Sequence, residues 1–408
     1  MCAPLLAVIV GLFTSHVAAA GQDQPPQAPL TRAAELEAAR RARAADLERA
    51  PTPNTVERAF TYIEDTRIVG RVFNPTRGWF AQIGGAGEGN GFTVGGGYRH
   101  PTPLGVVSAR AVGSIRQSYL ASVDVTRTFL PGDAAFVTAT VTRRHEAAQR
   151  FYGMGPDTAY ADKSSFGLSA TQADVVAGVR ITSWLTGIAG VGVLQPDIAR
   201  ASEASRVPPT VDRFTGAPGV DVQPTYTTAQ AGVIVDTRDA GNARHGGLYQ
   251  VHVRRLADRD QGAYSFSDTR VDLQQFIPFW NRSRVIALRV LAQHTDGIGQ
   301  AQVPFYLMPS LGGARSLRGY ERQRFRDRSA LLFSAEYRYE MNPFLMGAIF
   351  YDAGQVAPDW SDFRFRQFRD DFGIGLRFGY SNAVALRADV AFGGERAARL
   401  ILGFSSSF

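Results

Sequence analysis

Hydrophobic and polar residues alternate along most of the chain after residue 77, in segments of about ten residues separated by turns. The segment SALLFSAEYRYEM places Leu331, Phe333 and Tyr337 on one face and Glu336 and Arg338 on the other. The segments DFGIGLRFGY, NAVALRADVAF and RSRVIALRVLAQH set an apolar face against Gly, Arg and Asp in the same way. A period of two predicts β-strands. An apolar face opposite small and charged residues is typical of strands with lipid on one side and a polar lumen on the other.

Sixteen segments of this kind are recognisable in the sequence. They lie near 78–84, 91–99, 104–113, 118–129, 134–143, 164–181, 184–193, 225–236, 246–256, 266–276, 284–294, 329–340, 344–354, 369–378, 382–392 and 398–408. An even number of strands suits a closed antiparallel barrel, in which no sheet edge leaves backbone groups unpaired. The sequence therefore predicts an all-β fold, a 16-stranded antiparallel transmembrane β-barrel over residues 77–408.

The first 76 residues have a different composition. Residues 1–20 contain an apolar stretch that ends in Val-Ala-Ala-Ala, which predicts a signal peptide and export, although a basic n-region is missing and a membrane anchor remains the alternative. Residues 21–76 are predicted to be a periplasmic linker rich in Pro and Gln, followed by a polar helix near 31–49. Leu36 and Leu47 are the only large apolar residues of that helix. It is therefore either a solvated tether or a helix lodged in the polar lumen.

The composition excludes several kinds of partner and binding site. The net charge of +7 is carried almost wholly by arginines spread along the chain, and Lys163 is the single lysine, so no basic patch predicts a nucleic-acid partner. The only cysteine, Cys2, lies within the predicted signal peptide, which excludes disulfides and cysteine–metal sites from the exported chain. Glycine and aromatic residues are abundant, as in outer-membrane barrels. These features predict outer-membrane lipid as a partner and the bacterial outer membrane as the location.

Motifs for catalysis and cofactors are missing from the sequence. The stretch GGAGEGNG at 84–91 lacks the third glycine of a dinucleotide-binding turn and is not followed by a helical pattern. No GxxxxGK[ST], HExxH or GxSxG sequence occurs. We therefore expect no enzyme activity, no metal and no cofactor. A hydrolase remains open because catalytic triads assemble from distant residues.

The stretch LGGARSLRGYERQRF at 311–325 holds four arginines and one acid, Glu321, between two predicted strands. Together with the residues that follow, it resembles the sixth extracellular loop and next strand of the BamA/TamA-like bacterial surface antigen barrels. FYDAG at 350–354 is similar to the Phe-x-Asp-x-Gly strand of that family. VDTRDAGNARHGGLYQ at 235–250 and RFYGMGPDT at 150–158 are similar to two of its turn and loop motifs. The resemblance covers about residues 77–408, and its motifs occur in the family's order.

The resemblance implies that residues 295–328 form a sixth loop that folds into the barrel. Arg318 would then meet Asp352 beside Phe350, and Glu336 is a second candidate partner. The physical reason is that an unpaired guanidinium in a water-poor lumen is costly, whereas a bidentate carboxylate compensates it. The alternative is that Arg318 is an ordinary solvated loop arginine.

The same resemblance assigns further structural positions. Gly319 would allow the close turn, Tyr320 would pack on the barrel wall, and Gly354 completes the Phe-x-Asp-x-Gly motif. The terminal strand carries Phe404 and Phe408 in alternate positions, as in the C-terminal signal for outer-membrane insertion.

The family implies a role in outer-membrane protein or lipid assembly or translocation, with a partner protein of the periplasm or outer membrane. The 21–76 segment has no room for a complete POTRA domain, so the chain is expected to be a short member lacking these domains. Roles that depend on POTRA domains are therefore in doubt. The alternative function is a passive porin-like channel with an arginine-rich lumen.

Overall fold

The computed structural model describes residues 75–84, 92–201, 206–239, 243–279, 283–342, 345–380 and 383–403. The predicted signal peptide, linker and polar helix lie outside these residues, and so do Phe404 and Phe408.

Sixteen strands form one antiparallel sheet in which every strand pairs with its neighbours in chain order. The strands are β1 (Gly78–Ile83), β2 (Thr93–Thr102), β3 (Gly105–Ser114), β4 (Tyr119–Phe129), β5 (Ala135–Phe151), β6 (Ser164–Arg180), β7 (Leu185–Arg200), β8 (Tyr226–Asp236), β9 (Gly246–Asp258), β10 (Phe266–Phe279), β11 (Arg284–Gly297), β14 (Ser329–Asn342), β15 (Leu345–Ala357), β16 (Arg369–Tyr380), β17 (Ala383–Phe392) and β18 (Arg399–Gly403). The two-residue strands β12 (Ser310–Leu311) and β13 (Phe325–Arg326) pair with each other between β11 and β14. The predicted 16-stranded antiparallel β-barrel is confirmed.

Helical structure in the described residues is limited to single turns. The α-helical turn α1 spans Thr210–Arg213. None of the described helices has the length and apolar character needed to cross a membrane. Turns of 3-10 helix occur at Pro131–Asp133, Tyr160–Asp162, Phe305–Leu307, Trp360–Asp362 and Phe365–Gln367.

The alternation in the sequence matches the two faces of the sheet. Phe333 of β14 is 43% exposed, whereas Glu336 and Arg338 of the same strand are buried. In β16, Phe372 and Ile374 face outward, and Gly373 and Gly375 face inward. The outward face is therefore apolar, as contact with lipid requires, and the inward face carries the charges.

Consecutive connections lie at opposite ends of the barrel, because consecutive antiparallel strands alternate in direction. We call the ends the loop end and the turn end. The last six loop connections are L3 (152–163), L4 (201–225), L5 (259–265), L6 (298–328), L7 (358–368) and L8 (393–398). All of them are at the loop end.

Two strands extend farther toward the loop end than their alternation predicted. β5 continues to Phe151 instead of residue 143, and β7 to Arg200 instead of residue 193. The register of β5 shifts between Glu146 and Gln149, which interrupts the period of two in the sequence of this strand. The extended ends carry Phe151 and Ile198 into an apolar cluster inside the barrel.

This cluster fills the lumen at the loop end beside β5, β6 and β7. The strands contribute Phe151, Phe166, Leu168 and Ile198, L4 contributes Ala217 and Val220, and L6 contributes Phe305 and Tyr306. L4 is held there by hydrogen bonds from Ser165 N to Pro208 O (2.9 Å) and from Phe305 N of L6 to Pro218 O (2.9 Å). The core of this barrel is therefore built partly from its loops.

Candidate functional site

L6 enters the lumen as a hairpin. Its base is the β12–β13 pair, with Ser310 opposite Arg326 and Leu311 opposite Phe325. Gly312 has φ +107°, and a Cβ there would stand 2.2 Å from Glu321 O, so only glycine fits this position. The tip between the two short strands carries the Arg-Gly-Tyr sequence.

Arg318 at the tip contacts both predicted carboxylates. Its Nε and Nη2 donate to the two oxygens of Asp352 at 2.6 and 3.0 Å, and its Nη1 donates to Glu336 Oε2 at 2.9 Å. The guanidinium carbon lies 3.4 Å from the centre of the Phe350 ring. All of these groups are buried, with Arg318 only 1% exposed. The structure thus brings together Arg318, Glu336, Phe350 and Asp352.

Further inward-facing charges extend this contact into a network across β14, β16 and β17. Glu336 also accepts hydrogen bonds from Arg338 (2.8 Å) and Arg377 (3.1 Å). Asp389 pairs with Arg377, with Arg387 at 3.4 Å and with Arg318 at 3.7 Å. The sequence placed these arginines and Asp389 on the polar strand faces but did not indicate that they would converge on the loop.

Two strand arginines also bind the L6 backbone. Arg289 of β11 forms a bidentate pair with Asp272 at 2.9 and 2.6 Å, and its Nη1 donates to Arg315 O at 2.9 Å. Arg387 of β17 donates to Ala314 O at 2.8 Å. The path of the loop is therefore fixed through its main chain as well as through Arg318.

Gly319 lies against the start of β16 and the end of β17. A Cβ at this position would meet Asp371 Cβ at 2.8 Å and Phe392 O at 3.2 Å. Tyr320 lies next to the same strands, and its hydroxyl donates to Asp370 O at 3.4 Å and to Gly393 O at 3.2 Å. The absence of a side chain at Gly319 is what allows the tip to approach the wall this closely.

Aromatic and apolar contacts also hold the L6 hairpin in place. The Tyr320 ring packs edge-on against Phe325 of L6 itself, with the ring centres 5.2 Å apart. Gly354 leaves room for Leu311 of β12, since a Cβ at Gly354 would be 2.9 Å from its Cδ1. Gly354 therefore lies beside the base of the L6 hairpin, whereas Gly319 and Tyr320 lie at its tip.

A second group of contacts holds the far side of the tip, and the sequence did not indicate it. Glu321 accepts hydrogen bonds from Tyr152 (2.9 Å) and Tyr160 (2.6 Å) of L3, and it forms ion pairs with Lys163 and with Arg396 of L8. Burial by itself would raise the pKa of Glu321. The bonds from Lys163 and the two tyrosines outweigh burial and lower that pKa to about 2.

The next residues of the tip continue this attachment onto β5. Arg322 pairs with Glu146 at 2.5 Å, and Gln323 hydrogen-bonds Gln149 at 2.9 Å. β5 is the fifth and β15 the thirteenth strand of the 16-stranded sheet, so they stand on opposite sides of the barrel. L6 therefore crosses the lumen and is bonded to both walls.

Arg326 is a second fully buried arginine of L6, with a different environment. Its Nη1 donates to Phe305 O at 2.8 Å, and its Nε and Nη2 have no hydrogen-bond acceptor among the described residues. Burial lowers its pKa to about 9. Its backbone oxygen accepts from Gly155 N of L3 at 2.9 Å.

The contacts at this site are structural, because they hold L6 in place inside the barrel. The motif residues are joined by ion pairs and ring contacts between a loop and the barrel wall. In the described ranges, no group of three or more His, Cys, Asp and Glu side chains is arranged to hold a metal ion.

Comparison with solved structures supports the fold. BamA from Haemophilus ducreyi, lacking POTRA domains 1–3, is similar with a TM-score of 0.59 and 13% identity, covering 80% of this chain and 68% of that one. CdiB from Escherichia coli has a TM-score of 0.50 and 12% identity, covering 79% and 61%. CdiB from Acinetobacter baumannii has a TM-score of 0.47 and 14% identity, covering 80% and 58%. The chain thus spans less than two thirds of either CdiB.

Sequence comparison identifies the family. No curated protein matches the chain. The sequence model of the Omp85 superfamily domain matches residues 87–408, which is most of the chain, and the predicted resemblance to BamA-like barrels is confirmed. The chain belongs to the Omp85 superfamily of outer-membrane β-barrels.

Proposed function

We propose that this barrel acts in the assembly or translocation of outer-membrane proteins or lipids, without enzymatic chemistry and not as a passive channel. The observation that carries the proposal is that L6 crosses the lumen and is bonded to both walls, through Arg318 on one side and Glu321 and Arg322 on the other. Family membership supports the same role.

The filled loop end argues against free diffusion through the barrel. A porin needs a water-filled channel along its whole length. Here the L6 tip occupies the middle of the lumen, and the apolar cluster around Phe151 and Phe305 occupies the side next to β5, β6 and β7. Such a barrel is expected to conduct ions only when L6 moves.

The Arg318 side of L6 is attached to the last part of the barrel wall. Arg318 pairs with carboxylates on β14, β15 and β17, and Arg387 of β17 donates to Ala314 O, so this part of the loop is attached to the strands directly before the final strand β18. By analogy with the family, a braced lumen would leave the contact between the first and last strands as the place that opens toward lipid. β1 has only six residues, fewer than its neighbour β2 with ten.

Planar-bilayer recording distinguishes an assembly barrel from a porin. We expect small, intermittent conductance from the full chain. A variant in which residues 312–324 are replaced by a Gly-Ser linker of equal length should show larger and steadier conductance. Large, steady, anion-selective conductance from the full chain would overturn the proposal in favour of the porin-like channel.

An assembly assay tests the positive part of the proposal. The full chain is reconstituted in vesicles, and a urea-unfolded eight-stranded barrel is added as the probe client. Folding of the probe should be several-fold faster than in protein-free vesicles and in vesicles that hold an ordinary porin. Equal rates in all three, together with equal transfer of fluorescent lipid between leaflets, would refute a role in assembly or translocation.

A further inference from the structure

L7 lies against the outer wall of the barrel, whereas L4 and L6 fold into the lumen. The Trp360 ring is 5.6 Å from the ring of His294, and the Phe368 ring is 6.1 Å from the ring of Phe333. His294 is on β11 and Phe333 on β14. Both occupy the alternate positions that point away from the buried inward residues of their strands. L7 therefore leans toward the side of the barrel that faces lipid.

The loop combines exposed aromatic rings with arginines in alternate positions. Residues 363–369 read FRFRQFR, and Phe365 is 98% exposed. Arg364 and Arg366 are also exposed. We define the L7 patch by this set of residues, which comprises Trp360, Phe363, Arg364, Phe365, Arg366 and Phe368.

The backbone shape of the L7 patch is held from within the barrel wall. Gln355 of β15 is buried, and its side chain accepts from Arg364 N at 3.1 Å and donates to Gln367 Oε1 at 3.1 Å. These two bonds fix the segment on either side of Phe365. The outward position of that ring is therefore part of the fold rather than the result of a loose loop.

Two acidic residues next to the patch are bonded to other groups, so its arginines are available to bind an anion. Asp359 caps the turn at Trp360 N, and Asp157 of L3 binds Arg369 at 3.0 Å. Arg364 donates to the backbone oxygen of Ser361 at 2.6 Å. Within the described residues, no hydrogen bond or ion pair involves the guanidinium of Arg366.

The patch is continuous with the lipid-facing surface. Tyr351, Phe333 and Phe372 are exposed large aromatics on the outward faces of β15, β14 and β16. Aromatic residues collect where a bilayer meets water, and arginines just beyond them can reach lipid phosphates. Both features occur here at the same place on the loop end.

We propose that the L7 patch binds the anionic headgroups of the bilayer surface around the barrel. Trp360 and Phe365 lie at the level of the headgroups, and Arg364 and Arg366 bind lipid phosphates. The loop therefore gathers anionic lipid beside β14–β16. The occupant is lipid because the patch continues the apolar belt without a gap and carries the charge that complements phosphate.

The test uses Trp360 as a local reporter. The other three tryptophans, at positions 79, 184 and 280, are changed to Phe, and the protein is reconstituted in vesicles of phosphatidylcholine and phosphatidylglycerol. One lipid or the other carries bromine on its acyl chains, which quenches nearby tryptophan. At equal mole fractions, brominated phosphatidylglycerol should quench Trp360 more strongly than brominated phosphatidylcholine. An enrichment of about fivefold is expected for each arginine that contacts anionic lipid.

The double variant Arg364→Gln/Arg366→Gln should bring the quenching ratio to one. The matched control is Arg206→Gln/Arg259→Gln, which removes the same charge from exposed arginines of L4 and L5 and should leave the ratio unchanged. Unaltered heat-modifiability shows that each variant is folded. A ratio of one in the parent, or a ratio unaffected by the first double variant, overturns the proposal. Weak quenching by both lipids would place Trp360 in water, as expected for a protein-binding loop, and also overturns it.

Discussion

Replacement of Arg318 by Ala removes the central contact between L6 and the barrel wall. The side chain forms three hydrogen bonds to Asp352 and Glu336 and stacks on Phe350. After the substitution Glu336 keeps Arg338 and Arg377. Among the described residues, Asp352 has no other cation bonded to it, and it lies opposite Asp371 in the next strand. The loss therefore leaves one buried carboxylate without compensation.

The magnitude follows from that uncompensated charge. Breaking a buried ion pair by removing one partner costs about 3–5 kcal/mol, because the remaining charge keeps its desolvation penalty. We expect Arg318→Ala to lower the free energy of unfolding by this amount. Arg318→Lys keeps the charge but loses the planar fork, so its loss should be smaller. Adding Asp352→Ala to Arg318→Ala should restore roughly 1–3 kcal/mol, because it removes the orphaned carboxylate.

Urea unfolding in detergent micelles, followed by tryptophan fluorescence, measures these differences, and the gel shift on heating reports barrel integrity. Arg259→Ala in L5 is the control. Its side chain is exposed, so it should change stability by no more than about 0.5 kcal/mol. If Arg318→Ala matched that control in stability, heat-modifiability and bilayer conductance, the idea that Arg318 anchors the loop would be refuted.

Three further predictions concern the rest of L6. Ionised Glu321 stabilises the fold above its unfolded pKa of 4.5, and this contribution, about 3 kcal/mol, is lost as pH falls from 4.5 to about 2; Glu321→Gln should weaken the pH dependence of unfolding in that range. Gly319→Ala should lower the free energy of unfolding by about 1–3 kcal/mol in urea titrations, because its Cβ would overlap Asp371, whereas Gly187→Ala, with open space around it, should cost nothing. Arg326→Met should leave stability within about 1 kcal/mol or raise it, because no carboxylate of the described residues is hydrogen-bonded to this buried guanidinium; a loss as large as that of Arg318→Ala would contradict this expectation.

The strand pattern could be predicted from local sequence because the faces of a strand alternate residue by residue. The apolar positions of β14, β16 and β17 therefore revealed both the strands and the side that faces lipid. The same reasoning failed at the loop-end halves of β5 and β7. There the inward residues turn apolar to pack against L4 and L6, and a register shift follows Glu146.

The pairing of Arg318 with Asp352 could be predicted from the sequence. Both residues belong to recognisable motifs, and a guanidinium directed into a closed lumen requires a carboxylate. The bonds of Glu321 to L3 carry no such signal. They depend on which loop stands across the barrel from β15, and that is decided only when the sheet has curved into its final shape.

The sequence by itself determined the number of strands, their two faces and the loop that enters the lumen, because each of these is written in short-range alternation or in a contiguous motif. Only the tertiary structure decided that L6 is bonded to opposite walls, that L4 fills the loop end, and that L7 turns outward with Phe365 exposed. The contact between L6 and β5, for example, joins residues that are more than a hundred positions apart in the chain. They arise from closure of the barrel, which no local pattern encodes.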